Sequence, residues 1–274
     1  MNIAQALHLR GDVDGYERQE AIWLLEHILG IGALELKMRM MDHLTVAQEQ
    51  QFLNGLMRLS QGEPLAYIIG SQPFWTLDLK VTPDTLVPRP DTEILVETVL
   101  ALDLSETTSM VDLGTGTGAI ALALAKENPT WQVLATDVYF PTLEVAQLNA
   151  QRHLLPQVQF LCSAWFEAIP AQKFDLIVSN PPYIDPDDQH LVNLHYEPER
   201  ALVAEAKGLA DLQHIIDEAR HWLNTDGWVV LEHGYDQGIQ VREIFKQAGF
   251  AQIQTRKDYG NNDRVTRAQW LSNS

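Results

Sequence analysis

Residues 178–184 read Val178-Ser179-Asn180-Pro181-Pro182-Tyr183-Ile184, at the end of an apolar run that begins at Phe174. A short apolar run of this kind makes a strand buried on both faces. It stops on Asn180-Pro181-Pro182-Tyr183, where two prolines remove two backbone donors and fix φ. The main chain therefore leaves the sheet stiffly, with its carbonyls pointing in set directions. An amide side chain, those carbonyls and an aromatic ring are held at the carboxyl end of a strand, where open α/β sheets bind ligands. Taken alone, Asn-Pro is equally a turn starter. A second motif upstream gives it direction.

That motif is Asp112-Leu113-Gly114-Thr115-Gly116-Thr117-Gly118, which leaves one strand and opens a helix. Glycines without Cβ let a ligand approach the backbone closely, and a helix N-terminus favours an anionic group. The same residues satisfy the looser dinucleotide pattern Gly114-x-Gly116-x-x-Ala119, so the glycines do not separate S-adenosylmethionine from NAD. Asp137 ends the next strand, where a carboxylate can accept from ribose hydroxyls of either cofactor. A tight turn that binds nothing is the bland alternative.

The downstream residues separate the cofactors. A dinucleotide site gives no reason for Asn-Pro-Pro-Tyr after the fourth strand, whereas a methyltransferase acting on an amino group does. An amide nitrogen is a poor nucleophile because its lone pair is delocalised into the carbonyl. Two acceptors on its N–H groups, the Asn180 side-chain oxygen and the Pro181 carbonyl, would aim that lone pair and meet its growing positive charge. In-line displacement at a sulfonium needs no metal and no covalent intermediate. It needs no strong base either, since the attacked nitrogen sheds its proton readily. Tyr183 is expected to pack against the incoming planar amide.

Around these motifs, strands and helices alternate as in a parallel sheet covered on both faces. Strands are expected at 110–113, 132–136, 158–162, 174–179, 228–232, 252–256 and 265–271, the last two as a closing antiparallel hairpin. Helices fall at 119–126, 141–151, 209–222 and 237–248. Residues 1 to about 70 read as helical. Helical spacing runs through 16–29, and a second helix starts at Thr45 with Gln48 three residues on and Phe52, Leu53, Leu56 and Met57 as its apolar face. Between 74 and 87 the period drops to two, with a turn at 82–84 and a second short strand at Leu86-Val87. Asp91 or Thr92 can then cap the next helix. The domains expected are 1–72, helical and substrate-binding; 73–90, a β-hairpin linker; and 91–274, catalytic.

Bulk properties narrow the partners. The chain has 274 residues, 46% hydrophobic and 20% charged, which suits a globular protein of about two domains. It opens without a basic region followed by an apolar core, and no apolar window is long enough to span a membrane. One cysteine, Cys162, excludes an internal disulfide and fits a reducing cytoplasm. It reads as a small buried apolar residue at a strand end. The net charge of −18, without a basic cluster, argues against direct contact with duplex nucleic acid. A basic protein surface suits it better.

The chain resembles the HemK/PrmC family of release factor glutamine methyltransferases over nearly its whole length. The match is carried by G-E-P-L-A-Y at 62–67, P-R-P-D-T-E at 88–93, D-L-G-T-G-T-G at 112–118, S-N-P-P-Y-I at 179–184, L-E-H-G at 231–234 and D-Y-G-N-N-D-R-V at 258–265. The resemblance implies a class I S-adenosylmethionine-dependent methyltransferase: a Rossmann-like seven-stranded α/β sheet with its last strand antiparallel, and a small N-terminal helical domain. It implies methylation of the side-chain amide nitrogen of glutamine in the Gly-Gly-Gln motif of class-1 peptide chain release factors, by a cytoplasmic monomer. Gly114, Thr115, Gly116, Thr117 and Gly118 would line the amino-acid end of S-adenosyl-L-methionine, Asp137 would hold its ribose and Trp165 would contact its adenine. Asn180 would sit beside the sulfonium, and Asn180, Pro181, Pro182 and Tyr183 would receive the glutamine amide. Ala164 departs from the pattern, which carries an acidic residue just before the tryptophan.

Three other readings compete. A glutamine methyltransferase acting on a large-subunit ribosomal protein continues differently after Pro-Arg. An N6-adenine methyltransferase shares Asn-Pro-Pro-Tyr, yet this chain has neither a basic groove nor a recognition insert. A non-catalytic cofactor-binding protein has no use for the Asn180, Pro181 and Tyr183 clamp.

Overall fold

The computed structural model describes residues 1–12 and 14–271, so residues 272–274 of the expected catalytic domain lie outside the described residues. Its contacts divide the chain into two units, residues 1–71 and 72–274.

The first unit is built from α1 (Ile3–Leu7), α2 (Tyr16–Leu29), α3 (Ala33–Met38), α4 (Val46–Ser60) and α5 (Leu65–Ile69). At the start of α4, Thr45 Oγ1 accepts from Gln48 N at 3.2 Å and Gln48 Oε1 accepts from Thr45 N at 3.0 Å, the reciprocal cap expected. The inward stripe of α4 differs from the expected one. Phe52 and Leu59 are buried, but Leu53 and Met57 are 43% and 54% exposed. The seam runs through Gly55, where a Cβ would stand 2.5 Å from Leu24 Cδ2 of α2, and that glycine lets the two helices close on each other.

A hairpin follows, β1 (Ser71–Phe74) and β2 (Leu77–Lys80), which belongs to the second unit from Gln72 on. It turns at Trp75, whose φ is 55°. The turn expected at 82–84 is present, with Thr85 N donating to the Thr82 carbonyl at 3.0 Å, but it follows the hairpin instead of closing it. Leu86-Val87 forms no strand, because the Val87 N–H is taken by the Glu197 carboxylate at 3.1 Å instead of by a neighbouring chain. Phe74, Leu77 and Leu79 of the hairpin are buried in the core of this unit.

A seven-stranded sheet follows: β3 (Ser109–Leu113), β4 (Gln132–Asp137), β5 (Val158–Cys162), β6 (Phe174–Ser179), β7 (Leu223–Glu232), β8 (Ala251–Lys257) and β9 (Asp263–Gln269). The spatial order is β5-β4-β3-β6-β7-β9-β8. Strand β9 runs antiparallel to both of its neighbours, while the other pairings described are parallel. This is the class I methyltransferase architecture the sequence implied. Alternate residues of each central strand face opposite ways, so two cores flank the sheet. Met110, Leu176 and Val178 join α6 (Glu93–Leu100) and α7 (Ala119–Glu127) on one face. Val111, Leu113 and Ile177 join α10 (Ala210–Trp222) and α11 (Gly238–Gln247) on the other, which leaves α8 (Phe140–Arg152) and the short α9 (Glu205–Gly208).

The order reverses between β3 and β6. The chain winds outward from β3 to β4 and β5, then crosses back to lay β6 on the other side of β3. Ligands bind at such a switch point, outside the carboxyl ends of the strands. The pairings Leu113↔Thr136 and Leu113↔Ser179 bring the segments that begin at Gly114, Asp137 and Asn180 out side by side.

Candidate functional site

A cavity of about 320 Å³ opens at that switch point, within the size range of small-ligand sites of about 300–1,000 Å³. Its lining combines Gly114–Thr117, Asp137, Trp165 and Asn180, gathered from the ends of four adjacent strands.

The glycine loop is held from below by Asp112. This carboxylate is fully buried, and its Oδ2 accepts from Thr115 Oγ1 at 2.6 Å and from Ala121 N at 3.2 Å. Oδ1 has no hydrogen-bond partner among the described residues. Burial pushes the carboxyl from 3.8 up to about 7, against the lowering effect of the Thr115 and Ala121 bonds. The folded state thus keeps the proton to higher pH than the unfolded chain does. The stability this confers is complete below pH 3.8 and lost as the pH climbs to about 7. Asp112→Asn carries no such titration, so its melting temperature should improve relative to wild type across that window. A difference between the two proteins that stays flat with pH excludes a titrating Asp112.

Gly116, with φ of 58°, takes a left-handed conformation that side chains other than glycine resist. Its N–H donates to Asp137 Oδ2 at 3.1 Å, and Tyr139 N donates to Oδ1 at 3.0 Å. Burial raises the Asp137 carboxyl, while those N–H groups and the Arg200 guanidinium oppose the rise. Gly118 does not line the cavity. A Cβ there would stand 2.9 Å from Leu122 Cδ1, so this glycine serves the packing of α7.

Trp165 lies across the loop, its ring 3.5 Å from where a Cβ of Gly114 would be. Ala164 offers no carboxylate, but Asp211 of α10 lines the same cavity, and Trp165 is among the groups that oppose the rise burial gives its carboxyl. Cys162, expected buried, is exposed, with Sγ 3.5 Å from the Val138 carbonyl oxygen. It is the last residue of β5, an edge strand of the sheet.

Of the Asn-Pro-Pro-Tyr residues, Asn180 and Pro182 line the cavity. Asn180 Nδ2 donates to Thr92 Oγ1 at 3.2 Å, which leaves Oδ1 as the free end of the amide. Pro181 is buried. Tyr183 faces away from the expected position. Its ring packs into the core on the α10 side, and its hydroxyl donates to Glu232 Oε1 at 3.1 Å. Burial and the Glu232 charge raise the phenol well above its ordinary value, so it stays protonated.

Several residues at the site had no assigned role in the sequence. Glu232 is buried at the end of β7, and burial pushes it from 4.5 to about 7 against Thr92, Arg264 and Tyr183. Arg264 pairs with Asp258 at 3.0 Å and Asp91 at 3.4 Å. Arg89 forms an ion pair with the buried Glu197. Arg200 donates to the Asp84 carbonyl at 2.7 Å and lies 3.8 Å over the Tyr139 ring. Thr92, offered as a cap for α6, makes no capping bond because its hydroxyl faces Asn180.

The signal for most of these lay in the quoted stretches. Thr92 sits in P-R-P-D-T-E, Glu232 in L-E-H-G, and Asp258 and Arg264 in D-Y-G-N-N-D-R-V. Arg200 and Glu197 carried no local signal.

Comparison with known proteins agrees over both units. Residues 3–70 match the family model described as PrmC N-terminal domain, and residues 90–208 match that described as Methyltransferase small domain. The release factor glutamine methyltransferase of Salmonella typhimurium is 48% identical over 251 residues, 91% of each chain. The protein of the same name from Escherichia coli is 46% identical over 251 residues, again 91% of each. Among solved structures, a methyltransferase from Pyrococcus furiosus superimposes with a TM-score of 0.57 at 20% identity, over 80% of this chain and 98% of that one. That likeness concerns the fold alone.

Proposed function

The chain belongs to the release factor glutamine methyltransferase family, and from that premise we propose that it methylates the side-chain amide nitrogen of a release factor glutamine at Asn180. The observation that carries this reading is the anchored amide. With one Nδ2 hydrogen given to Thr92, the Asn180 amide is turned so that its carbonyl oxygen can accept from a substrate N–H group. An amide nitrogen held by that oxygen and the Pro181 carbonyl has its lone pair aimed and its developing charge met.

The residues fit S-adenosyl-L-methionine as the methyl donor. The left-handed backbone at Gly114 and Gly116 keeps side chains out of the cradle, the Asp137 carboxylate suits ribose hydroxyls, and the Trp165 ring suits a planar base. When bound, that molecule supplies a methyl group on a positively charged sulfur. Attack by the amide nitrogen would form the carbon–nitrogen bond as the donor's carbon–sulfur bond broke, and the nitrogen would then give up a proton to water. Asn180 and Pro181 orient the nucleophile and need not act as a base. Tyr183, tied to Glu232, supports the backbone of this segment from behind.

The substrate is a protein, and the reaction belongs to the cytoplasm, where release factors work. Among the described residues no helix is long and apolar enough to cross a membrane. Purified release factor incubated with the protein and the methyl donor should gain one methyl on its Gly-Gly-Gln peptide by mass spectrometry. Methyl transfer only to a ribosomal protein or to adenine in DNA would instead support one of the rival readings.

Asp137→Ala should weaken binding of the methyl donor by roughly 1.5–3 kcal/mol, the value of hydrogen bonds to a charged group. Calorimetric titration checks this. An unchanged dissociation constant in a folded variant removes Asp137 from the site.

A further inference from the structure

The chain that leaves the Asn-Pro-Pro-Tyr segment comes back to it. Ile184 N donates to the Leu202 carbonyl at 2.9 Å, and Ala204 N donates to the Ile184 carbonyl at 3.0 Å. Just before that closure the returning chain is fastened to residues 84–89, most of which line the cavity. Glu197 takes the Val87 N–H and pairs with Arg89, and Arg200 takes the Asp84 carbonyl.

Arg200 reaches a third segment as well. Its Nη2 donates to the Asp84 carbonyl oxygen at 2.7 Å, and Thr142 Oγ1 of α8 donates to the same oxygen at 2.9 Å. Its guanidinium carbon stands 3.8 Å from the centroid of the Tyr139 ring. Tyr139 N in turn donates to Asp137 Oδ1 at 3.0 Å. Arg200, Asp84, Thr142 and Asp137 all line the cavity, whereas Tyr139 does not.

Two neighbouring ribose hydroxyls make a strict demand on a carboxylate. Each donates once, so both are held only when each carboxylate oxygen faces them with a lone pair to spare. Gly116 N orients Oδ2 and Tyr139 N orients Oδ1, one N–H apiece, which leaves that capacity. The first N–H belongs to the glycine loop, held from below by Asp112. The second lies in the exposed stretch Val138-Tyr139-Phe140, where the stacked guanidinium steadies it. The same cation opposes the rise that burial gives the Asp137 carboxyl, and so favours its acceptor form.

We propose that Arg200, stacked on Tyr139 and tied to Asp84, is a positioning residue that holds the Asp137 carboxylate in place for both ribose hydroxyls of the methyl donor. This rests on the reading of Asp137 as the ribose acceptor. Acting through Asp137 and not through Asn180, Arg200 governs affinity for the donor and leaves the transfer step alone.

The test is calorimetric titration with S-adenosylhomocysteine, the demethylated donor, and with its analogue lacking the two ribose hydroxyls. Arg200→Ala should weaken the first roughly threefold to tenfold, since a cation–π contact and a charge-assisted hydrogen bond are lost together. Affinity for the analogue should match wild type, because the carboxylate then has nothing to hold. In an Asp137→Ala background Arg200→Ala should add no further loss. Single-turnover methyl transfer should show the loss at low donor and recover it at saturating donor.

Wild-type affinity for S-adenosylhomocysteine, an equal loss with the analogue, or additivity with Asp137→Ala overturns the inference alone. Wild-type affinity in Asp137→Ala itself overturns the reading of that carboxylate, and the inference with it. Arg200 is exposed, so the alanine variant is expected to fold. If it melts early, Tyr139→Leu reads the same link from outside the cavity. It keeps the N–H on Asp137 and removes the ring beneath the cation, so the same hydroxyl-dependent loss is expected. Wild-type affinity in that variant overturns the inference.

Discussion

Asn180→Ala is expected to transfer methyl groups about 10²–10³ times more slowly than wild type, while its affinity for the release factor changes little. The magnitude is that of removing one preorganised electrostatic partner of a transition state, about 2.7–4 kcal/mol. Little of it belongs to binding, since a protein substrate spreads its contacts over many residues and one hydrogen bond is a small share. In the chemical step the same acceptor both orients the nitrogen and meets its charge, so the loss concentrates in kcat. Asn180→Asp is the finer probe. A carboxylate still accepts from the substrate, so partial activity is allowed, but it cannot donate to Thr92 Oγ1 as Nδ2 does at 3.2 Å. Single-turnover measurements at saturating methyl donor separate the steps. If the alanine variant transfers methyl at the wild-type rate and only binds release factor more weakly, Asn180 is a docking residue.

The second large effect is expected at Gly208→Ala, far from the cavity in sequence and close to it through the backbone. Gly208 has φ of 76°, and a Cβ there would fall 2.0 Å from the Tyr183 carbonyl oxygen and 2.7 Å from Gln237 Nε2. Gln237 Nε2 itself donates to that carbonyl at 3.0 Å, so three groups share one small space. Alanine in a left-handed conformation costs about 1–2 kcal/mol, and forcing a methyl into packed atoms about 1–3 kcal/mol more. A loss of about 3 kcal/mol in urea unfolding is the expected result. The Asn-Pro-Pro-Tyr segment should also shift, because its carbonyl is what must move, and activity should fall below what the lost stability explains. An unchanged unfolding midpoint would show that the 205–208 turn yields freely and does not brace the segment.

Much of this arrangement could be read from residues near one another in the chain. Strands β5 and β6 fall where expected to the residue, and β3 and β4 within one, because short strand-forming segments bounded by turn residues leave few alternatives. The glycine loop and the Asn-Pro-Pro-Tyr segment were legible for the same reason, as each is a local departure from a strand. What escaped depends on residues that meet across long separations. Thr92 and Asn180 are 88 positions apart, and Val87 and Glu197 are 110. No periodicity announces such a partner. Without Glu197 in view, Val87 reads as a strand residue; without Glu232, Tyr183 reads as a free aromatic face. The stripe of α4 was misjudged on a similar basis, since a glycine in the seam carries no hydrophobic signal yet marks the closest approach.

The place of β9 in the sheet bears on how the enzyme is made. β8 is described with one neighbour, β9, and β9 itself lies between β7 and β8. While the chain emerges from the ribosome, residues 251–257 therefore have no strand to join until 263–269 have been synthesised. Until then β7 presents an open edge, and Glu232 lacks the Arg264 that β9 delivers beside it. The helical unit of residues 1–71 has its own core and can fold early, as leading domains do during synthesis. The catalytic sheet must wait. Arg264 reaches Glu232 only with one of the later segments to arrive, so a nascent chain stopped before β9 would carry the glycine loop and the Asn-Pro-Pro-Tyr segment while Glu232, the acceptor of the Tyr183 hydroxyl, still lacked that cation.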